Sequence, residues 1–365
     1  EVRLAPRVPA PAIVPVEEII AKPTAIEPTV ADAPRLTTSI DAETVPVDAE
    51  PTNAAVASEV KATSFKGVVP GVTKETEVTS LWGEPISDVE LGPGLVKTFT
   101  IAPFSRVEVH LFAETVRTIV VHFDAPASLE DAARSMSLEA LRPVPIVAAN
   151  DKAVGQLYPE RGISLIYHGD PTDQNVGRLQ LQPVTADAFL LRVHSNRKEL
   201  WTQDLSDLAT AATLSPNDDR IAWLKSEILT NQCEFPQAAV AIEKALAAQP
   251  DSPVYHLAAA NLIAKAGNYE DAIAATNAVY LREELPALIK ARAAQQLGDL
   301  HAESPAHDFA KAFQLHQASI QIALPLATDK DRNVRYAAKQ LLIDSHASVA
   351  SDIAQGKWQN KPQAV

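Results

Sequence analysis

The chain has 365 residues and a formal net charge of −14, which is room for two or three domains with ordinary cores. No Lys/Arg-rich run occurs, which argues against a nucleic-acid phosphate track or an anionic membrane surface as the main partner. No stretch is long and apolar enough for a membrane-crossing helix, and the single cysteine, Cys233, excludes an internal disulfide and any multi-cysteine metal site.

The first 60 residues hold nine prolines, no glycine and no aromatic residue, and acidic side chains outnumber basic ones ten to four. Runs such as Pro6-Arg7-Val8-Pro9-Ala10-Pro11 favour extended polyproline II and leave no face to bury. Residues 1–62 therefore read as a disordered Pro-rich linker, with a ligand for a proline-recognition domain as the alternative. The chain opens at Glu1 rather than Met, from which an upstream segment is expected to have been removed: a signal peptide, a membrane anchor or simply a cut in the chain.

Order is expected from Phe65. In Gly67-to-Pro85, Thr73 is placed to cap a short helix, Glu75 and Glu77 fall in its first turn, and Val78, Leu81 and Trp82 share one face. Gly83 and Pro85 stop it. This stretch resembles the Gly-x-Thr/Ser…Val…Leu-x-Gly-x-Pro signature of small outer-membrane-assembly lipoproteins and β-lactamase-inhibitor-like modules. The resemblance implies a small α+β binding fold and no reaction. Strands follow at 95–101, 106–112 and 116–123, where β-branched residues alternate with polar ones. Val107, Val109 and Leu111 take one face and Arg106, Glu108 and His110 the other, the pattern of an antiparallel sheet with one wet side. Ser128 caps a second short helix, and strands are expected near 144–149, 162–167 and 177–182. A helix–strand–strand order thus occurs twice, so 63–194 reads as a small α+β domain for which an internal duplication is one reading.

A helix is expected over 198–214, with Leu200, Leu205 and Leu208 on one face. The chain then repeats itself. A step of 34 residues relates Pro216 to Pro250, Leu229 to Ile263 and Ala238 to Ala272, and it carries two amphipathic helices. These residues resemble the tetratricopeptide repeat family. At the family's small places stand Ser226, Ala238 and Ala245, then Ala260, Ala272 and Val279. At its large apolar places stand Leu229 and Ile242, then Ile263 and Thr276, while its terminal proline is Pro250 and then Glu284. Gly267-Asn268-Tyr269-Glu270-Asp271 is similar to the family's helix-to-helix turn. Small residues are needed because the two helices of a repeat cross closely. In this register 198–214 is the second helix of an incomplete first repeat, and Ala287 opens a third, with Ala294, Leu297 and Ala306 in place. Helices at 286–300, 306–324 and 331–355 complete and cap the array. Cys233 falls in a turn between helices, as a small, partly buried residue rather than a reactive thiol, since no basic group adjoins it. Trp358 is placed to hold down the tail.

Asp329-Lys-Asp331-Arg-Asn333 spaces oxygens as a calcium loop begins, but Val334 and Gln340 replace the required glycine and bidentate acid, so a helix N-cap is the better reading. The nine histidines lack metal-binding spacing and read as surface or half-buried. No nucleophile elbow, phosphate loop or dinucleotide fingerprint occurs, no metal or cofactor is implied, and only 12 glycines are available to cradle a phosphate.

What remains is surface. The repeat resemblance implies an inner groove built by the first helix of each pair. Its contact positions fall on Arg220, Trp223, Glu227 and Asn231, then Leu257, Asn261, Ala264 and Lys265, then Gln295. Trp223 is either an exposed anchor or packed into the preceding helix. Leu257 in place of a lysine argues against a clamp for a C-terminal carboxylate. The fold class expected is α+β multidomain: a disordered Pro-rich N-terminus, a small antiparallel α+β domain and an all-α tetratricopeptide-like solenoid over 195–358. The function expected is a non-catalytic scaffold or assembly protein that binds a protein or peptide partner through the groove, with no nucleic acid. A membrane tether is open only through a removed N-terminal segment, and the sequence leaves the oligomeric state open. Location is expected to be extracytoplasmic in a bacterium, with cytoplasmic as the alternative. Two rivals stand: a structural component of a cell envelope or other large complex, and an enzyme with its site around Tyr158, Glu160, Arg161 and His168.

Overall fold

A computed structural model describes residues 60–148, 152–195 and 201–359. The Pro-rich segment before Val60 and the tail from Asn360 lie outside the described residues, as do the side chain of Trp358 and all of Leu200. The described residues form one compact unit.

Its first half is two rounds of the same arrangement, a short helix followed by four strands. Helix α1 (Glu75–Trp82) precedes β1 (Ser87–Leu91), β2 (Gly94–Ile101), β3 (Phe104–Phe112) and β4 (Thr115–Ser128). Helix α2 (Leu129–Ser135) precedes β5 (Val144–Val147), β6 (Ala153–Tyr158), β7 (Ile163–Tyr167) and β8 (Asn175–Leu181). The strands join in the order β1-β2-β3-β4-β8-β7-β6-β5, antiparallel throughout. The two meanders meet where Ile119 pairs with Leu181 and Val121 with Leu179. Strands β1 and β6 are additions to the sequence reading. All five residues of β1 are exposed, so burial leaves no period in its sequence, and β6 is interrupted by Gly155, whose Cα lies against the β7 backbone.

The core lies on the face expected. Val107, Val109 and Leu111 are buried against Phe99, Val116, Ile119, Val121, Leu165 and Leu181, while Arg106, Glu108 and His110 point the other way. Each fully buried valine or leucine contributes about 1.5–3 kcal/mol relative to staying exposed. Ser128 caps α2 as expected, accepting from the Asp131 N–H at 3.1 Å. Helix α1 differs from expectation. Its N-cap is Lys74, whose N–H donates to Glu77 at 2.7 Å, because the hydroxyl of buried Thr73 turns back to accept from the Val69 N–H at 2.8 Å. Leu81 is exposed rather than buried with Val78, and Trp82 takes the inner position by donating from Nε1 to the Lys66 carbonyl.

The second half is helical. Pairs form from α3 (Ala186–Ser195) and α4 (Trp201–Leu214), α5 (Asp219–Asn231) and α6 (Phe235–Ala248), α7 (Pro253–Lys265) and α8 (Tyr269–Tyr280), and α9 (Ala287–Glu303) and α10 (Phe309–Ala323). The long α11 (Arg332–Gln359) packs on α9 and α10. Helix α3 was not read from the sequence, and it supplies the first helix that the α4 pair was expected to lack.

The small residues picked out by the 34-residue step are buried where helices cross: Ser226, Ala238, Ala245, Ala260 and Ala272. Thr276 fills a large apolar place and its buried hydroxyl has no partner among the described residues, which costs about 1–3 kcal/mol. Two expectations fail. Ala306 is exposed in the α9–α10 connection, because α9 runs 17 residues against 13 for α5 and α7 and pushes the turn beyond the repeat register. Cys233 is exposed, at positive φ in the α5–α6 turn. Asp329 and Asp331 behave as the N-cap reading requires: Asp331 accepts from the Asn333 N–H at 2.7 Å at the start of α11.

Candidate functional site

The first helices of successive pairs adjoin one another, α5 on α7 and α7 on α9, so they form one layer. Along that layer the expected contact residues meet different fates. Arg220 is committed: it bonds Asp218 and Asp187, each at 2.6 Å. Those two carboxylates raise its pKa above the ordinary value. Trp223 is not an exposed anchor. It lies between the rings of His194 on α3 and Tyr255 on α7, with centroids 5.8 and 5.9 Å away, and its buried Nε1 has no partner among the described residues. It belongs to the packing on both sides of α5, so it binds helices together rather than a ligand. Tyr255 is fixed in turn by donating to Asp219.

Glu227 and Asn231 are exposed on α5, and Asn261 is half-buried on α7. Lys265 is exposed and reaches Glu303 at 3.5 Å. Leu257 and Ala264 are buried. Gln295 is buried too, and α11 is the reason. Its amide donates to Ser348 at 3.0 Å and its carbonyl accepts from Ser345, both on α11. The inner face of α9 is therefore covered by the chain's own last helix at this point, and only the α5 and α7 part of the expected row stays accessible.

Two buried polar clusters escaped sequence reading. In the first, both ring nitrogens of His316 face carboxylates: Nδ1 lies 2.6 Å from Asp352 and Nε2 lies 3.0 Å from Asp299. Only the doubly protonated imidazolium can donate to both. Burial opposes its charge, but these two bonds more than offset that and hold its pKa above the ordinary value. Its seat is Gly298, where an added Cβ would come within 3.0 Å of ring atoms. A glycine in the middle of a helix was the available signal, since it costs about 1 kcal/mol relative to alanine and needs a reason.

The second cluster joins the sheet to the helices. Arg192 of α3 is 3% exposed and bonds Glu160 at 2.7 Å, Asp207 of α4, and the Arg142 carbonyl at 2.6 Å. Arg142 bonds Asp207 in addition. This places Glu160, a member of the enzyme reading, in a structural ion pair. Of the others, Tyr158 is buried in the core and donates to Gln156 at 3.0 Å, and His168 is exposed. Two hollows in the surface are lined by other residues, one by Lys66, Trp82 and Thr100 and one by Asp187, Ser215 and Arg220. No group of three metal-ligating side chains suited to an ion occurs among the described residues.

No protein-family model matches the chain, and no curated protein matches its sequence. Solved structures are similar to part of it. They include PilF of Pseudomonas aeruginosa, 15% identical over 48% of this chain and 91% of that one at a TM-score of 0.32. Another is MamA from Desulfovibrio magneticus RS-1, 18% identical over 48% and 97% of the two chains at 0.30. A mutant O-GlcNAc transferase of Thermobaculum terrenum is 18% identical over 39% of this chain at 0.31, and the match spans only 26% of the transferase. Scores this low carry no functional conclusion. The helical half is a solenoid of antiparallel helix pairs, with the small residues of the 34-residue step buried where the helices cross.

Proposed function

We propose that the protein is a non-catalytic scaffold that holds an extended segment of a partner protein along α5 and α7. The observation that carries this is the pair Asn231 and Asn261. Both stand at places that the repeat resemblance assigns to the inner groove. Neither side-chain amide has a partner among the described residues, and Glu227 and Lys265 lie on the same helices. A carboxamide offers a donor and an acceptor together, which suits a peptide backbone whatever its sequence. A cell-envelope location in a bacterium and a binding role for the sheet half belong to this reading, on the resemblance of residues 67–85. The test is affinity purification with mass spectrometry, comparing the full chain with Asn231→Ala plus Asn261→Ala. Loss of a partner supports the groove, and an unchanged partner set removes it. The rival structural role draws on the cover of Gln295 by α11, and it predicts a partner set that no inner-face substitution alters.

A further inference from the structure

The sheet ends differently on its two sides. At the β5 end, Val144 and Leu157 are covered by Ala188 of α3. At the β1 end no element of the described residues lies beyond the strand, and every residue from Ser87 to Leu91 is exposed. The strand pairing sets Leu91, Gly94 and Phe112 in one row across β1, β2 and β3, and Val89, Val96 and His110 in the next. Leu91, Val89 and Phe112 are 65%, 56% and 51% exposed, a contiguous apolar patch on one sheet face. Gly94, between Leu91 and Phe112, carries no side chain, and a Cβ there would come within 3.0 Å of the Leu111 carbonyl.

The alternate residues of β1 point to the opposite face and are acidic. Asp88 and Glu90 stand there beside Glu75, and the nearby cation is Lys97, which reaches Glu75 at 2.7 Å and Asp88 at 3.4 Å. Three carboxylates to one ammonium leave the edge negative. We propose that the free edge of β1 and the patch beside it dock an extended segment of another protein in which apolar residues alternate with lysine or arginine. A strand added to an open edge gains main-chain hydrogen bonds, and its side chains alternate faces with a period of two. Apolar side chains on one face then meet Val89 and Leu91, and basic ones on the other meet Asp88 and Glu90. The same charges turn away a second copy of this chain. Antiparallel self-pairing about Val89 would set Asp88 against Glu90 twice, and like charges directly opposite are destabilising.

The probe is a fluorescent peptide of strictly alternating lysine and valine, with a control of equal composition in which valines and lysines are grouped in pairs. Both are titrated by anisotropy against the full chain. The alternating peptide should bind at least tenfold tighter than the grouped one. Glu90→Lys and Leu91→Ser should each weaken it at least tenfold, with an unchanged near-ultraviolet circular dichroism spectrum showing that the fold is intact. Asn231→Ala plus Asn261→Ala should leave it unaltered, which separates this surface from the groove. Equal binding of the two peptides would reduce the effect to charge attraction and overturn the proposal, as would indifference to Glu90→Lys and Leu91→Ser. A dimer in sedimentation that Leu91→Ser dissolves, and that excludes the peptide, would overturn the choice of partner.

Discussion

Replacing Gly298 with alanine should destabilise the protein even though alanine is the better helix former by about 1 kcal/mol. The new Cβ would come within 3.0 Å of the His316 ring. That ring is 1% exposed and cannot swing aside, because both its nitrogens are bonded, to Asp352 at 2.6 Å and to Asp299 at 3.0 Å. If the ring leaves, the Asp352 side chain, 3% exposed, is left buried without its cation. Breaking a buried pair on one side costs about 3–5 kcal/mol, so the net loss after alanine's gain is about 2–4 kcal/mol. In a His316→Ala background the obstruction is absent, and the same substitution should stabilise by about 1 kcal/mol. Urea midpoints of the four proteins, with amide exchange across α9 to α11, measure the cycle. A Gly298→Ala change of the same sign in both backgrounds would refute the claim that the glycine exists to seat the histidine.

The stability contributed by His316 should depend on pH in a defined direction. Its folded pKa lies above the ordinary 6.5, so its contribution is complete below that value and is lost as pH rises through the folded value. The gap in urea midpoint between wild type and His316→Leu should therefore shrink from pH 6 to pH 9. Arg192→Leu should cost about 3–5 kcal/mol by leaving Glu160 and Asp207 buried and short of a cation, and Arg192→Lys should not restore it, since one ammonium cannot reproduce the forked bonds. Trp223→Ala should cost about 2–3 kcal/mol in thermal or urea unfolding, because its ring packs between His194 and Tyr255; a loss under about 0.5 kcal/mol would mean a solvent-facing anchor instead.

Periodicity made parts of this fold readable. The 34-residue step found Ala238, Ala245, Ala260 and Ala272 because close helix crossings admit only small side chains, and all four are buried. Alternation found β3 because one face is core and one is wet. Where burial imposes no period, the sequence is silent, as at β1. Helix α3 carried a readable stripe, Ala186, Phe189, Leu190 and Val193 at i, i+3, i+4 and i+7, all buried, but it stands before the 34-residue register and was not read. The position of Trp223 follows from α3, which is why its packing stayed open until that helix was placed. Gln295 needed knowledge of where α11 returns, some 50 residues later in the chain. A lone His316 carries no local sign that two carboxylates converge on it, and only Gly298 hinted at a tight seat.

The junction at Arg192 has a mechanical meaning. A guanidinium bonded at once to a strand-end loop, to α4 and to the Arg142 carbonyl acts as a rivet, and α3 spreads the load over β5 and β6. The eight-stranded plate and the helical stack are thereby joined by buried ionic bonds as well as by apolar packing. Were each half to hold a partner, as proposed above, this joint would carry the orientation of one to the other.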